Sequence, residues 1–202
     1  MTNSVDSSLS LIDASTNKVI NTILLDTNPG YITIRPNGKT AYVANINNNL
    51  FSIIDLTNNH LASTFPGAPN PQGMALTPDS YITNTESNTV TIINSDSNSV
   101  MKTMPLTDAP YGIAITPDEK FTYITNVNSN TVSVIDTSSN TVTTKSIPVG
   151  TKPIALTITP DGERVYVANM GDSALSVIQT SDTTVLSTTI PVGGFPASIV
   201  SK

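Results

Sequence analysis

The chain has no cysteine, no tryptophan and a single histidine among its 202 residues. Without cysteine there can be no disulfide, no thiolate metal site and no cysteine nucleophile. With one imidazole, His60, a multi-histidine metal site is excluded as well. Charge is scarce: charged residues are 12% of the chain, nine basic against fifteen acidic, for a formal net charge of −6. An acidic surface with no basic cluster repels phosphate backbones, so nucleic acid is not an expected partner. No apolar run approaches the length of a membrane span, which argues against membrane insertion. The opening Met1-Thr2-Asn3-Ser4 has neither the basic nor the apolar region of an export signal, so the expectation is a soluble chain of unknown compartment.

Polarity comes instead from Ser, Thr and Asn, whose side chains satisfy turn backbone groups locally and suit loop-rich β structure. Against that background one phrase recurs. Pro29, Pro71, Pro110, Pro153 and Pro196 each open a short apolar run, at intervals of 42, 39, 43 and 43 residues. In the four full copies there follow a turn, a Tyr-hydrophobic-small-Asn phrase and an alternating run that ends in a polar residue. A period near 40 built only of strand-like segments marks a radial array of small sheets.

The third full copy shows the unit most plainly. Pro110–Thr116 reads as strand A, Phe121–Asn126 as strand B, Thr131–Asp136 as strand C, and strand D starts near Thr141. Strand C alternates with period two. Val132 and Val134 share a face with Phe51/Ile53, Val90/Ile92, Leu175/Val177 and Leu9/Leu11, and Ser or Thr points the other way. Helical periodicity is absent. Four strands in up-and-down order make one twisted blade, and a lone blade leaves both faces bare, so blades must stack around an axis. Tyr42, Tyr81, Tyr123 and Tyr166, at one place in strand B, are expected to fill the spaces between them.

The phrases Tyr42-Val43-Ala44-Asn45, Tyr81-Ile82-Thr83-Asn84, Tyr123-Ile124-Thr125-Asn126 and Tyr166-Val167-Ala168-Asn169 resemble the YVTN β-propeller repeat. So do Thr-Pro-Asp at 77–79, 116–118 and 159–161, and Ile-Asp at 12–13, 54–55 and 135–136. The resemblance covers essentially the whole chain. It implies an all-β propeller of four-stranded antiparallel blades, similar to surface-layer proteins and to the lactonase-like superfamily, and suggests an exported or cell-surface protein. The second full copy departs from the pattern, running from Pro78-Asp79-Ser80 straight into Tyr81, so its A–B hairpin must be tight.

The ends suggest how the ring closes. Thr2–Asp13 aligns without gaps on Thr125–Asp136, and Pro196–Lys202 matches a strand A. The expectation is one domain over 1–202 with five blades: 29–70, 71–109, 110–152, 153–195, and a composite blade of 1–28 plus 196–202. A fragment of a larger ring, or a ring completed by a second chain, is the rival; a monomer is expected if the ring closes on itself, and a chain-completed or assembled oligomer if it does not.

In such a ring the D–A and B–C loops surround one mouth of the central channel, where propeller sites usually lie. The candidate ligand-binding residues there are Asn45, Asn84, Glu86, Asp108, Tyr111, Asn126, Lys152, Asn169, Asp172 and Phe195. The Asn recur in every copy, which favours loop capping over a ring of ligand-binding amides. Asp13, Asp55 and Asp136 read as turn-formers. Glu86, Asp108, Asp172, Lys152, Tyr111 and Phe195 break the repeat, as do Asp26, Asn28, Asn70, Gln72 and Ile154, and Tyr111 and Phe195 could stack on a sugar or clasp a peptide side chain. Arg35 stands where 77, 116 and 159 carry Thr, with nothing else in the sequence to account for it. His60 falls in a turn on the opposite face.

No cofactor, metal or catalytic set is expected. The first reading is a non-catalytic scaffold that presents its mouth to a protein or carbohydrate. The alternatives are a lactonase-like or lyase-like enzyme and a self-assembling structural unit.

Overall fold

The computed structural model describes every residue except Asp26, Thr27, Pro78, Thr107 and Lys202, and all but the side chains of Lys145 and Thr188. Among the described residues there are nineteen strands and no helix. The first sheet holds β1 (Thr2–Asn3), β2 (Ser8–Asp13) and β3 (Lys18–Leu24). The second holds β4 (Pro29–Ile34), β5 (Thr40–Asn45), β6 (Leu50–Asp55) and β7 (His60–Pro66), the third β8 (Pro71–Leu76), β9 (Asp79–Asn84), β10 (Thr89–Asn94) and β11 (Ser99–Pro105). The fourth holds β12 (Pro110–Ile115), β13 (Phe121–Asn126), β14 (Thr131–Asp136) and β15 (Thr141–Pro148), the fifth β16 (Pro153–Ile158), β17 (Arg164–Asn169), β18 (Ala174–Gln179) and β19 (Val185–Pro191). Within each sheet, strands consecutive in the chain pair antiparallel. This is the all-β, four-strand blade read from the repeat. The tight hairpin expected in the third sheet is present: Leu76 pairs with Ser80, and the Thr77 amide donates to the Asp79 carbonyl at 2.8 Å.

The leading strands of successive sheets pack side by side, β4 on β8, β8 on β12 and β12 on β16, which sets the blades around a common axis. Two glycines permit that approach. A Cβ on Gly73 would lie 2.3 Å from the Tyr111 carbonyl oxygen, and one on Gly112 would lie 2.5 Å from that of Ile154. Neither backbone atom can swing aside as a side-chain tip could.

Hydrophobic burial between blades holds the array together. Tyr81, Val90, Ile92 and Met104 of the third blade cluster with Ile124 and Ile135 of the fourth. Tyr123, Val132, Val134 and Ile147 of the fourth do the same with Val165, Val167 and Ile178 of the fifth. Each fully buried aliphatic side chain contributes on the order of 1.5–3 kcal/mol. The strand-C isoleucines Ile54, Ile93, Ile135 and Ile178 are 0% exposed, whereas Ile12, on the uncovered face of the first sheet, is 48% exposed. Tyr42, Tyr81 and Tyr123 are buried between blades as expected, and Tyr166 is half-buried on the outer face of the fifth.

Residues 196–201 form no strand and are not part of the three-stranded first sheet. They run beside β16, where the Ser201 amide donates to Thr157 Oγ1 at 3.2 Å and its hydroxyl to the Ile158 carbonyl at 2.6 Å. That is the place a following blade's leading strand takes, as β16 does beside β12.

Candidate functional site at the channel mouth

Backbone hydrogen bonds bring the D–A and B–C loops together on one face. The amides of Ile46, Thr85, Val127 and Met170 donate to the carbonyls of Asn28, Asn70, Ala109 and Lys152. A second set of bonds fixes the loop ends. Asn49, Asn88 and Asn130 use Oδ1 to accept from the amides of Asn70, Ala109 and Lys152. The three amides belong to residues just before an anchoring proline and have φ of 54°, 55° and 52°. None is glycine, so the local side-chain bond helps hold a left-handed backbone that costs on the order of 1–3 kcal/mol.

The leading strands line a channel of about 270 Å³, with Met74, Tyr111, Ile113 and Ile154 among its walls. Across it, Tyr31 of β4 meets Tyr111 of β12. Their ring centroids are 6.5 Å apart at 89°, edge to face, and the Tyr31 hydroxyl donates to that of Tyr111 at 3.3 Å. Burial, followed by the Tyr111 hydroxyl, pushes the Tyr31 pKa up to about 12, so Tyr31 is neutral and polar-tipped at physiological pH.

The expected site residues divide into three groups. Asn45, Asn84, Asn126 and Asn169 are buried and do not reach the mouth surface. Each donates from Nδ2 to a strand-C hydroxyl seven residues on: Ser52, Thr91, Ser133 and Ser176, at 2.8–2.9 Å. Asn3 makes the same bond to Ser10. The amides are struts inside the blade, and the i+7 hydroxyl is the sequence signal that distinguishes this role from loop capping. The Oδ1 atoms of the four buried amides have no hydrogen-bond partner in the structure.

Glu86, Asp172 and Lys152 sit exposed on the loops. Glu86 accepts from Asn70 Nδ2 at 3.2 Å, and Asn70 in turn bonds Gln72. Asp172 accepts from the Thr151 amide at 2.5 Å, and that bond holds its carboxyl below the usual range. Asp108 is exposed, and Phe195 is 77% exposed. Tyr111 alone of the ten lines the channel. Tyr31 was not legible as its partner, because it stands two residues after its proline whereas Tyr111 stands one after. Asp26 lies outside the described residues.

On the opposite face the turn-forming reading holds. Asp13, Asp55 and Asp136 each accept from a backbone amide two or three residues on, and Asn94 takes the same role in the third blade. Those bonds, with neighbouring hydroxyls, hold the three carboxyls below their ordinary range. His60 is exposed on this face at the start of β7. Among the described residues no group of three or more His, Cys, Asp or Glu is placed to hold a metal ion.

The model of the lactonase family, a seven-bladed β-propeller, matches residues 79–193, more than half the sequence. The chain belongs to that family. Solved structures agree on the fold. A functionally unknown protein from Desulfotomaculum acetoxidans superposes with a TM-score of 0.87 at 18% identity, over 98% of this chain and 67% of that one. Hydrazine synthase from Kuenenia stuttgartiensis gives 0.81 at 18% identity, over 98% and 72%. The dihydro-heme d1 dehydrogenase NirN, in its complex with DHE, gives 0.79 at 14% identity, over 97% and 44%. No curated protein matches this sequence. At these identities the likeness is one of fold, and this chain spans only part of each larger molecule.

Proposed function

We propose that this lactonase-family propeller is a binding module that presents its channel mouth to a carbohydrate or a peptide. The supporting observation is the Tyr31–Tyr111 pair, two aromatic rings set edge to face over the channel, each with a hydroxyl at its tip. Such rings stack on sugar faces or clasp apolar side chains, and their hydroxyls supply orientation. The carboxylates Glu86 and Asp172 frame the rim and are already engaged in loop hydrogen bonds, which suits a fixed recognition surface better than proton transfer. Tyr31→Ala and Tyr111→Ala are expected to abolish retention on the glycan or peptide array spots that hold the unaltered protein. Retention unchanged in both variants refutes the reading.

Hydrolysis of lactones is the second reading, and the family match is what favours it. Lactone turnover, with or without Ca²⁺, that disappears in Glu86→Gln or Asp172→Asn would replace binding by catalysis. An exported or cell-surface setting is part of the proposal. So is a monomeric state; an obligate dimer in sedimentation would refute it.

A further inference from the structure

A cavity of about 600 Å³ lies away from the mouth. It opens on the opposite face between the fourth and fifth blades. Thr116, Asp118 and Tyr123 of the fourth blade and Asp161, Thr180 and Thr183 of the fifth are among its walls. Two comparisons within the molecule indicate what it would take.

Between the second and third blades the same place is filled. Arg35 reaches across from the end of β4, donates from Nη1 to the Ser95 carbonyl at 2.7 Å, and sets Nη2 3.6 Å from the Asp96 carboxylate. In the repeat, Thr116 is the counterpart of Arg35 and Thr180 that of Ser95. The fourth and fifth blades therefore offer the carbonyl without the arginine. Among the described residues the Thr180 carbonyl accepts no hydrogen bond.

The interblade tyrosines give the second comparison. Tyr42 donates its hydroxyl to Asn98 Oδ1 at 2.6 Å, and Tyr81 donates to Asn140. Thr183 stands where those asparagines do, with the same left-handed backbone (φ 59°, against 54° and 51°). Tyr123 is 1% exposed, and its hydroxyl, facing this cavity, has no partner among the described residues. Two carboxylates also line the cavity, with the Arg164 charge near Asp161. Asp118 is held by the Thr116 hydroxyl and the Lys120 amide, Asp161 by the Thr159 hydroxyl and the Glu163 amide, and no Lys or Arg is among the lining residues. Lys120 meets Asp118 at 3.2 Å from outside, with 72% of its side chain exposed.

We propose that this cavity is a binding site for a guanidinium group, which takes the place Arg35 fills two interfaces away. The planar cation donates to the Thr180 carbonyl and to the two carboxylates, and its face lies against the Phe121 and Tyr123 rings. The group comes either from a small arginine-like molecule or from an arginine side chain of another protein. The site is independent of the mouth, so its failure leaves the proposed function untouched, and the converse holds.

Calorimetric titration at low salt with L-arginine amide, neutral L-citrulline amide and the peptide Gly-Gly-Arg-Gly-Gly tests this. Arginine amide is expected to give saturable one-site binding, citrulline amide none, and Asp161→Asn a loss of at least about tenfold. Thr116→Arg supplies the cation from the chain itself and is expected to abolish binding. Thr183→Asn gives Tyr123 the acceptor its counterparts have, and is expected to weaken binding even if Thr116→Arg fails to fold. Tenfold tighter binding of the peptide assigns the site to a protein partner, and tighter binding of the amide assigns it to a small cation. No saturable signal with either guanidinium probe by about 10 mM overturns the proposal. So does equal binding of citrulline amide, or unaltered affinity in Thr183→Asn.

Discussion

Removing the hydroxyl of Tyr81 and removing that of Tyr123 are chemically one change at repeat-equivalent positions, yet the structure separates their costs. Both rings are buried between blades, at 0% and 1% exposure, so Tyr→Phe leaves the packing of each intact. Tyr81 donates to Asn140 Oδ1, whereas Tyr123 lines the same cavity as Thr183 and donates to nothing among the described residues. A neutral hydrogen bond is worth a net 0.5–1.5 kcal/mol or thereabouts. Asn140 is half-buried, so water can reach the acceptor left behind, and a loss of about 1 kcal/mol is expected for Tyr81→Phe. In a domain of this size that lowers Tm by roughly 2–4 °C. Tyr123→Phe is expected to stay within about 0.5 kcal/mol of the unaltered protein, the spread of substitutions that break no specific contact. Urea denaturation followed by far-UV circular dichroism reads both, and unchanged m-values confirm that only stability moved. Equal losses in the two variants, or a larger loss at Tyr123, would refute the assignment of interblade partners.

Other changes probe other links. Gly112→Ala places a methyl group 2.5 Å from a backbone oxygen and is expected to cost about 1–3 kcal/mol in urea melts, whereas Gly193→Ala, with nothing within 4 Å, is expected to be near neutral. Arg35→Met removes the bond to the Ser95 carbonyl but keeps the apolar stem, and a loss of about 1 kcal/mol is expected in the same assay. Acid should act through the turns. The carboxyls of Asp13, Asp55 and Asp136 titrate lower in the folded chain than in the unfolded one. The unfolded chain therefore takes up protons first as pH falls, so Tm is expected to be level above about pH 5 and to drop as pH passes below about 4. Asn at these three positions, the residue Asn94 already supplies in the third blade, is expected to keep the fold and flatten that acid slope.

The blades were legible because each repeat carries its own turn chemistry and period-two alternation. Strands B and C of the third full copy, read as Phe121–Asn126 and Thr131–Asp136, fall on β13 and β14 with the same limits. Side-chain roles that depend on a neighbouring blade were not legible. Arg35 looked like an unexplained departure from Thr, since Ser95 and Asp96, which it meets, lie 60 residues on. The buried asparagines were read as loop caps, because a bond to the local loop backbone is the commoner use of that side chain. Their actual partners are hydroxyls seven residues away, diagonal to them across the strand pair. The mouth was half read: Tyr111 was marked, whereas Tyr31, 80 residues earlier, meets it only once blades two apart face each other across the channel.

That meeting allows the most direct check on the radial arrangement. With rings edge to face and centroids 6.5 Å apart, Tyr31 and Tyr111 are expected to show a nuclear Overhauser contact between assigned ring protons, with upfield shifts on the ring that points its edge at the other. Its presence places β4 and β12 on opposite sides of one channel. Both rings assigned in the folded chain with no such contact would contradict the propeller arrangement on which the site, the interblade partners and the proposed function all depend.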